Sequence, residues 1–166
     1  PWNDVVPSDN AKQPEAHKIP EHVQNYVDIF SATTGIKIDK DVLIVQSARV
    51  YNFQRIFNIR MGKGLRKDDH APFRALGPVT AEEYLSRQER YDKQIVDEMG
   101  LDPTAMSLEE KMAAHRKWRQ GRYEQLTDAV YKRRGWTPNG VPTLERLKEL
   151  GLDVFPEVVD VVKLHL

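Results

Sequence analysis

The chain has 166 residues, with 25 basic and 25 acidic side chains in balance, five histidines and no cysteine. That length suits one domain with a sizeable core, and zero net charge removes the field that would draw in a polyanion, so a nucleic-acid or membrane-surface role is not indicated. Without cysteine these residues cannot form disulfides, thiolate zinc sites or cysteine-ligated iron–sulfur clusters, which fits a reducing, cytoplasmic compartment.

Residues 1–19 are polar and proline-rich with no sustained period, and read as an extended connection from an upstream region in which Trp2, Val5 and Val6 pack on something. Their start, PWNDVVPSDN, lacks the regions of a signal peptide, does not begin with Met, and points to a piece of a longer protein; no apolar run in the chain reaches membrane-spanning length. Pro20 opens a helix whose buried face is Val23, Tyr26, Val27 and Phe30 and which closes at Gly35.

From Asp39 to Asp69 runs the stretch around which the chain is expected to be organised. Apolar residues from Val42 to Met61 cover almost every face of one helix, the pattern of a helix buried all round, with Tyr51 and Phe57 as core. Arg49, Asn52, Arg55, Asn58 and Arg60 lie among them and need partners. Gly62 and Gly64 let the chain turn and deliver Arg66-Lys67-Asp68-Asp69 beside the helix, with the aspartates placed to serve its arginines. The same charged loop could instead line a cofactor or substrate site contributed by another domain.

Thr80 to Glu83 forms a capping box opening a helix to Met99-Gly100, with Tyr84, Gln88, Tyr91 and Ile95 on one face. A second box, Ser107 to Glu110, starts a helix to about Arg134 with an apolar stripe of Leu108, Met112, Tyr123, Leu126 and Val130 and a bend near Gly121. RGWTPNGVPT, from Arg134 to Thr143, is a turn-rich joint. A short helix over Thr143–Leu150 follows, and the tail from Pro156 is either a last helix or a strand. The sum is an all-α fold, an irregular helical domain over residues 20–166 around one long buried helix.

No nucleophile and base are paired in a catalytic signature, and no histidine pair has metal-ligand spacing, so neither a catalytic residue nor a metal ligand is assigned. His70, beside Asp68 and Asp69, is a surface histidine or half of a carboxylate–imidazole pair. Met61-Gly62-Lys63-Gly64 follows a helix instead of opening one, which is the wrong side for a phosphate cradle. Arg116, Lys117, Arg119 and Arg122, interleaved with Trp118 and Tyr123, form either a solvated helix face or a grip for phosphates.

Two stretches carry a resemblance. YNFQRIFNIRMGKGLRKDDHAPFR, residues 51–74, and YKRRGWTPNGVPTLERLKELGL, residues 131–152, resemble in the same order the C-terminal domain of the aldehyde ferredoxin oxidoreductase family of tungstopterin enzymes. The first supplies Tyr51, Asn52, Arg55, Phe57, Asn58, Arg60, Gly62, Arg66, Asp68, Asp69, Pro72 and Arg74. The second supplies the arginine-glycine-tryptophan, asparagine-glycine, proline-threonine and leucine-glycine-leucine steps. The chain departs from the pattern at Met61, where the family commonly has glutamate, and in a longer, more charged segment from Leu76 to about Gln120. That extension and the tail look more like the catalytic subunit of class II benzoyl-coenzyme A reductase.

The resemblance implies a tungsten-bispterin and a [4Fe–4S] cluster in the whole enzyme, neither bound by this chain alone. The last cluster cysteine would immediately precede Pro1, and the proton-transferring residues would lie upstream. It implies a chain that closes the active-site cavity and substrate channel, with Asn3 and Asp4 near the cluster and Arg60, Arg66, Asp68 and Asp69 near cofactor or domain interface. The implied partners are the remainder of the enzyme, an iron–sulfur electron-transfer subunit or ferredoxin, and an aromatic acyl-coenzyme A or an aldehyde as substrate. For a coenzyme A ester, Arg116, Arg119 and Arg122 become the candidates for its phosphates. The contrasting expectation, from another class, is a free-standing helical interaction domain.

Overall fold

A computed structural model describes residues 20–166 of the chain. The connection expected over residues 1–19, and with it Trp2, Asn3, Asp4, Val5, Val6 and His17, lies outside the described residues. Among the described residues all extended regular structure is helical, as the all-α expectation requires, and one isolated antiparallel bridge joins Trp136 to Pro142. The helices are α1 (Pro20–Thr34), α2 (Lys40–Arg60), α3 (Ala81–Leu85), α4 (Gln88–Met99), α5 (Leu108–Arg134), α6 (Leu144–Glu149) and α7 (Pro156–Lys163). They fall into two compact units, the described residues up to Asp68 with Ala129–Leu166, and Asp69–Asp128.

In the first unit α2 starts where its sequence says it should. The Asp39 carboxylate accepts from Val42 N at 2.8 Å, satisfying a backbone donor that the first turn leaves open, and Asp41 and Arg60 complement the two ends of the helix dipole. After Met61 the chain doubles back: Lys63 N donates to Asn58 O at 2.9 Å, and a side chain at Gly64 would sit 3.1 Å from Asn58 Cβ. The core is built from Ile56 and Ile59 of α2, Leu147 of α6 with Leu150 just past its end, and Val158 and Val162 of α7. The tail is a helix, because Val158 and Val162 at i and i+4 meet one core while Pro156 occupies the first helical turn.

One expectation is overturned. Within this chain α2 is not buried all round: Asn52, Arg55, Ile56 and Ile59 are covered, while Val50 and Phe57 are 58% and 55% exposed and Tyr51 and Phe53 lie half open. Tyr51 and Phe57 are therefore not core residues here. At about 100° per residue the two sets lie on opposite sides of the helix, and the chain's own α6 and α7 cover only one of them.

In the second unit the Thr80 hydroxyl accepts from Glu83 N at 3.2 Å and the Glu83 carboxylate accepts from Val79 N at 3.0 Å. The single helix expected from Thr80 to Met99 divides into α3 and α4, because Arg87 leaves the helical region at φ −138°, ψ 30°. Tyr84, Tyr91 and Ile95 nevertheless form the expected buried row, while Gln88 is exposed. The Ser107–Glu110 box closes in both directions, Glu110 accepting from Ser107 N at 2.7 Å and Ser107 from Glu110 N at 3.3 Å. From it α5 runs as one helix through Gly121. Its fully buried members are His115 and Tyr131, whereas the predicted stripe from Leu108 to Val130 is half-buried. A stripe drawn on hydrophobicity alone passes over a histidine and a tyrosine that are buried with their polar groups, His115 Nε2 bonding Tyr91 O and the Tyr131 hydroxyl meeting Arg55.

Candidate functional site

The two motif stretches meet in the first unit. Asn52, only 1% exposed, spends its Nδ2 on Ala48 O at 2.8 Å and offers Oδ1 to the Trp136 indole, which donates at 2.7 Å. One turn later the buried Arg55 donates from Nε to Gly140 O at 2.9 Å and from Nη2 to the Tyr131 hydroxyl at 3.3 Å. Its guanidinium lies 4.7 Å from the centre of the Trp136 ring and 5.7 Å from that of Tyr131. A buried cation is thus held by a carbonyl, a phenol and two aromatic faces.

The loop that supplies the carbonyl needs glycine at its apex. Gly140 has φ +80°, and a Cβ there would collide with the Arg55 guanidinium and the Tyr131 phenol. Thr137 N donates to Val141 O and Gly140 N to Thr137 O, both at 2.8 Å, so the turn is closed before Arg55 reaches it. Arg66 ties the return loop to the same turn, its backbone N donating to Asn139 O at 3.0 Å, Nη1 to Pro138 O at 3.4 Å, and its guanidinium lying 5.6 Å from the Tyr131 ring centre. Arg49 Nε donates to Leu150 O at 2.6 Å at the end of α6.

Arg49 and Arg55 of α2 therefore find acceptors in the C-terminal segment, and Asn52 finds a donor there. Asp68, expected to serve the helix arginines, instead accepts from Leu65 N at 3.1 Å within its own turn, because the short turn around Arg66–Asp68 points its carboxylate back on itself. Arg60 is exposed in the last turn of α2 and has no hydrogen-bond or ion-pair partner among the described residues. Asp69 begins the second unit, and His70 is an exposed histidine that pairs with neither aspartate. Arg134, the last residue of α5, stacks 3.9 Å from the centre of the Tyr51 ring; burial, with Arg133, Arg146 and Arg55 nearby, lowers its pKa, and Tyr51 works the other way.

The basic run on α5 belongs to the second unit. Arg116 lies 3.6 Å from the Phe73 ring centre and donates from Nη2 to Pro78 O at 3.4 Å, while its Nη1 is buried without a partner. Arg119 likewise keeps a buried, unpartnered Nε, and Arg122 is exposed with its guanidinium 5.1 Å from the Trp118 ring centre. Spaced at i, i+3 and i+6, the three share one broad face of the helix.

Sequence reasoning gave no role to a buried polar cluster close by. Tyr84 donates to Asp92 at 2.7 Å, Lys111 Nζ lies 3.0 Å from the same carboxylate and Gln88 donates to its other oxygen at 3.2 Å. Burial pushes the Asp92 carboxyl up, but the hydrogen bonds from Tyr84, Lys111 and Gln88 outweigh it and hold the group low. Burial, then the bond to Asp92, pushes the Tyr84 phenol up. His115, fully buried between Tyr84 and Tyr91, donates from Nε2 to Tyr91 O at 3.0 Å and leaves Nδ1 without a partner. The only signal for this cluster was the spacing of Tyr84, Tyr91 and Ile95 on one face.

Among the described residues no three His, Asp or Glu side chains come together in a way that could hold a metal ion, and the sequence has no thiolate for an iron–sulfur cluster. The described residues do not fit as ligands to either group. No helix among the described residues is long and apolar enough to cross a membrane.

What fold and clamp define is a helical domain in which two separated motifs interlock through Asn52, Arg55, Trp136 and Gly140. The family model described as aldehyde ferredoxin oxidoreductase, domains 2 and 3, matches residues 10–152, and the chain belongs to that family. It is similar to the tungsten-containing aldehyde ferredoxin oxidoreductase of Pyrococcus horikoshii, 27% identical over 132 residues that cover 79% of this chain and 16% of that protein. The protein of the same name from Pyrococcus abyssi is 26% identical over 132 residues with the same coverage. The chain thus spans 16% of the length of these curated relatives. No solved structure matches the chain significantly.

Proposed function

We propose that this chain is the C-terminal helical portion of a larger, cytoplasmic tungsten-bispterin, [4Fe–4S] oxidoreductase, in which it closes the active-site cavity and substrate channel. The observation that carries this reading is the clamp itself: both motif stretches of the resemblance lie within the family match and lock together through the buried Asn52–Trp136 and Arg55–Gly140 hydrogen bonds. The metal and cluster ligands are assigned to the remainder of the enzyme. Asn3 and Asp4 are assigned to the neighbourhood of the cluster, and Arg60, Arg66, Asp68 and Asp69 to the cofactor-facing or domain interface. Electrons pass to or from an iron–sulfur subunit or ferredoxin.

For the substrate, an aromatic acyl-coenzyme A of the benzoyl-coenzyme A reductase type is supported by the α5 arginines. Arg116, Arg119 and Arg122 share one broad face of α5, with Arg122 open to solvent, a set of guanidinium groups that suits phosphate oxygens. An aldehyde oxidised to a carboxylic acid is the second reading, supported by the names of both curated relatives.

Intact mass and metal analysis of the native protein tests the first level. A larger polypeptide carrying tungsten and iron is expected; a metal-free species of 19.2 kDa leaves a helical interaction domain and removes the redox assignment. Arg119→Ala with Arg122→Ala then separates the substrates. Weaker binding of coenzyme A esters with a shallower salt dependence supports the acyl-coenzyme A reading, whereas unchanged affinity together with turnover of aldehydes supports the other.

A further inference from the structure

The exposed side of α2 is patterned as carefully as its buried side. Val50, Phe53, Phe57 and Met61 fall at i, i+3, i+7 and i+11, which places them along one stripe, and they are 58%, 46%, 55% and 66% exposed. Hydrophobic residues scattered singly on a surface need no explanation, but a contiguous row of two phenylalanines, a valine and a methionine is the mark of an interface. Arg60 adjoins the row at its C-terminal end, and unlike Arg49 and Arg55 of the same helix it has no acceptor among the described residues.

Resting on the proposed function, we infer that this stripe is the seat of a segment from the remainder of the same enzyme, one that is apolar along its length and brings a carboxylate to Arg60. Three observations specify that occupant. The helix is apolar on nearly every face, yet α6 and α7 cover only the side of Ile56 and Ile59. The unpaired guanidinium at the end of the row calls for an opposite charge, which becomes effective when the apolar contact excludes water. The curated relatives extend far beyond the matched region, which is 16% of their length, so partner surface of the same polypeptide is abundant in proteins of this type.

Oxidation of methionine by hydrogen peroxide, read by peptide mass spectrometry on the native protein, tests the inference without a substitution that could unfold it. In this chain Met61 is the open methionine, while Met99, Met106 and Met112 are half-buried. The expected result is that Met61 oxidises severalfold more slowly than the other three in the native protein and reacts at their rate after denaturation. If the native protein is large and carries tungsten but Met61 oxidises fastest, the inference is overturned and the proposed function stands. A metal-free native chain of 19.2 kDa removes both. Protection of Met61 that disappears on dilution identifies a second copy as the occupant and overturns the assignment to the same enzyme.

Discussion

The Trp136 indole donates to Asn52 Oδ1 at 2.7 Å across 84 residues of sequence, with both residues buried. Asn52→Ala leaves the indole N–H without an acceptor in the interior, where an orphaned polar group costs about 1–3 kcal/mol. Urea unfolding should show a lower midpoint of that size with an unchanged slope. Trp136 should also become more mobile in the spectrum of its indole N–H. An unchanged midpoint would mean the bond is not formed in solution.

Gly140 is the narrowest point of the clamp. Gly140→Ala places a Cβ against the Arg55 guanidinium and forces a left-handed backbone on alanine, at φ +80°. The backbone conformation alone costs on the order of 1–3 kcal/mol, and displacement of Arg55 from Gly140 O adds to it. Gly62→Ala is a useful contrast: φ is +81° there but no atom lies within 4 Å of the added Cβ, so its loss should be the smaller of the two by thermal denaturation.

His115 makes the second unit sensitive to acid. Burial lowers its pKa from the ordinary 6.5; Tyr91 O acts against this, Arg119 with it, and Asp92 against it. The folded state therefore binds a proton less readily than the unfolded chain. Stability from this residue is complete above the unfolded value and is lost as pH falls from there towards the folded value. The melting temperature should begin to drop as pH falls through about 6.5, the ordinary histidine value, and His115→Gln should flatten that dependence while lowering stability at neutral pH.

The two sides of α2 predict opposite responses to truncation. Leu147 is fully buried in the core beneath α2, and Leu147→Ala should cost about 2–5 kcal/mol. Phe57→Ala removes a side chain that is 55% exposed, and should change the stability of the chain itself by far less, on the order of 0.5 kcal/mol. Denaturant unfolding of the two variants side by side checks both. A large loss at Phe57 would place it in this chain's own core.

The helices and their starts were readable from local rules. Asp39, Thr80, Ser107 and Thr143 each cap the helix that follows them, and a cap needs only neighbours three residues away. The interruption at Arg87 was not readable, since Arg87 carries no breaker signal, whereas the one helix expected from the second capping box to about Arg134 is observed as α5. For the candidate site, Asn52 and Arg55 announced a need for partners by being polar on an apolar helix, but nothing local identified Trp136, Gly140 or Leu150 as the groups that meet them.

The sequence by itself determined an all-α chain, the positions of its caps and turns, the glycines of the return loop, and the two motifs that mark its family, all features set by short-range sterics, hydrogen bonding and residue order. Only the tertiary structure decided that the motifs interlock, that Asp68 serves its own turn, and that α2 has one covered side and one open side. Periodicity records which faces of a helix are apolar. Which of those faces a chain covers with its own residues depends on where α6, α7 and the turn at Gly140 come to rest, and that is settled by contacts between residues distant in sequence.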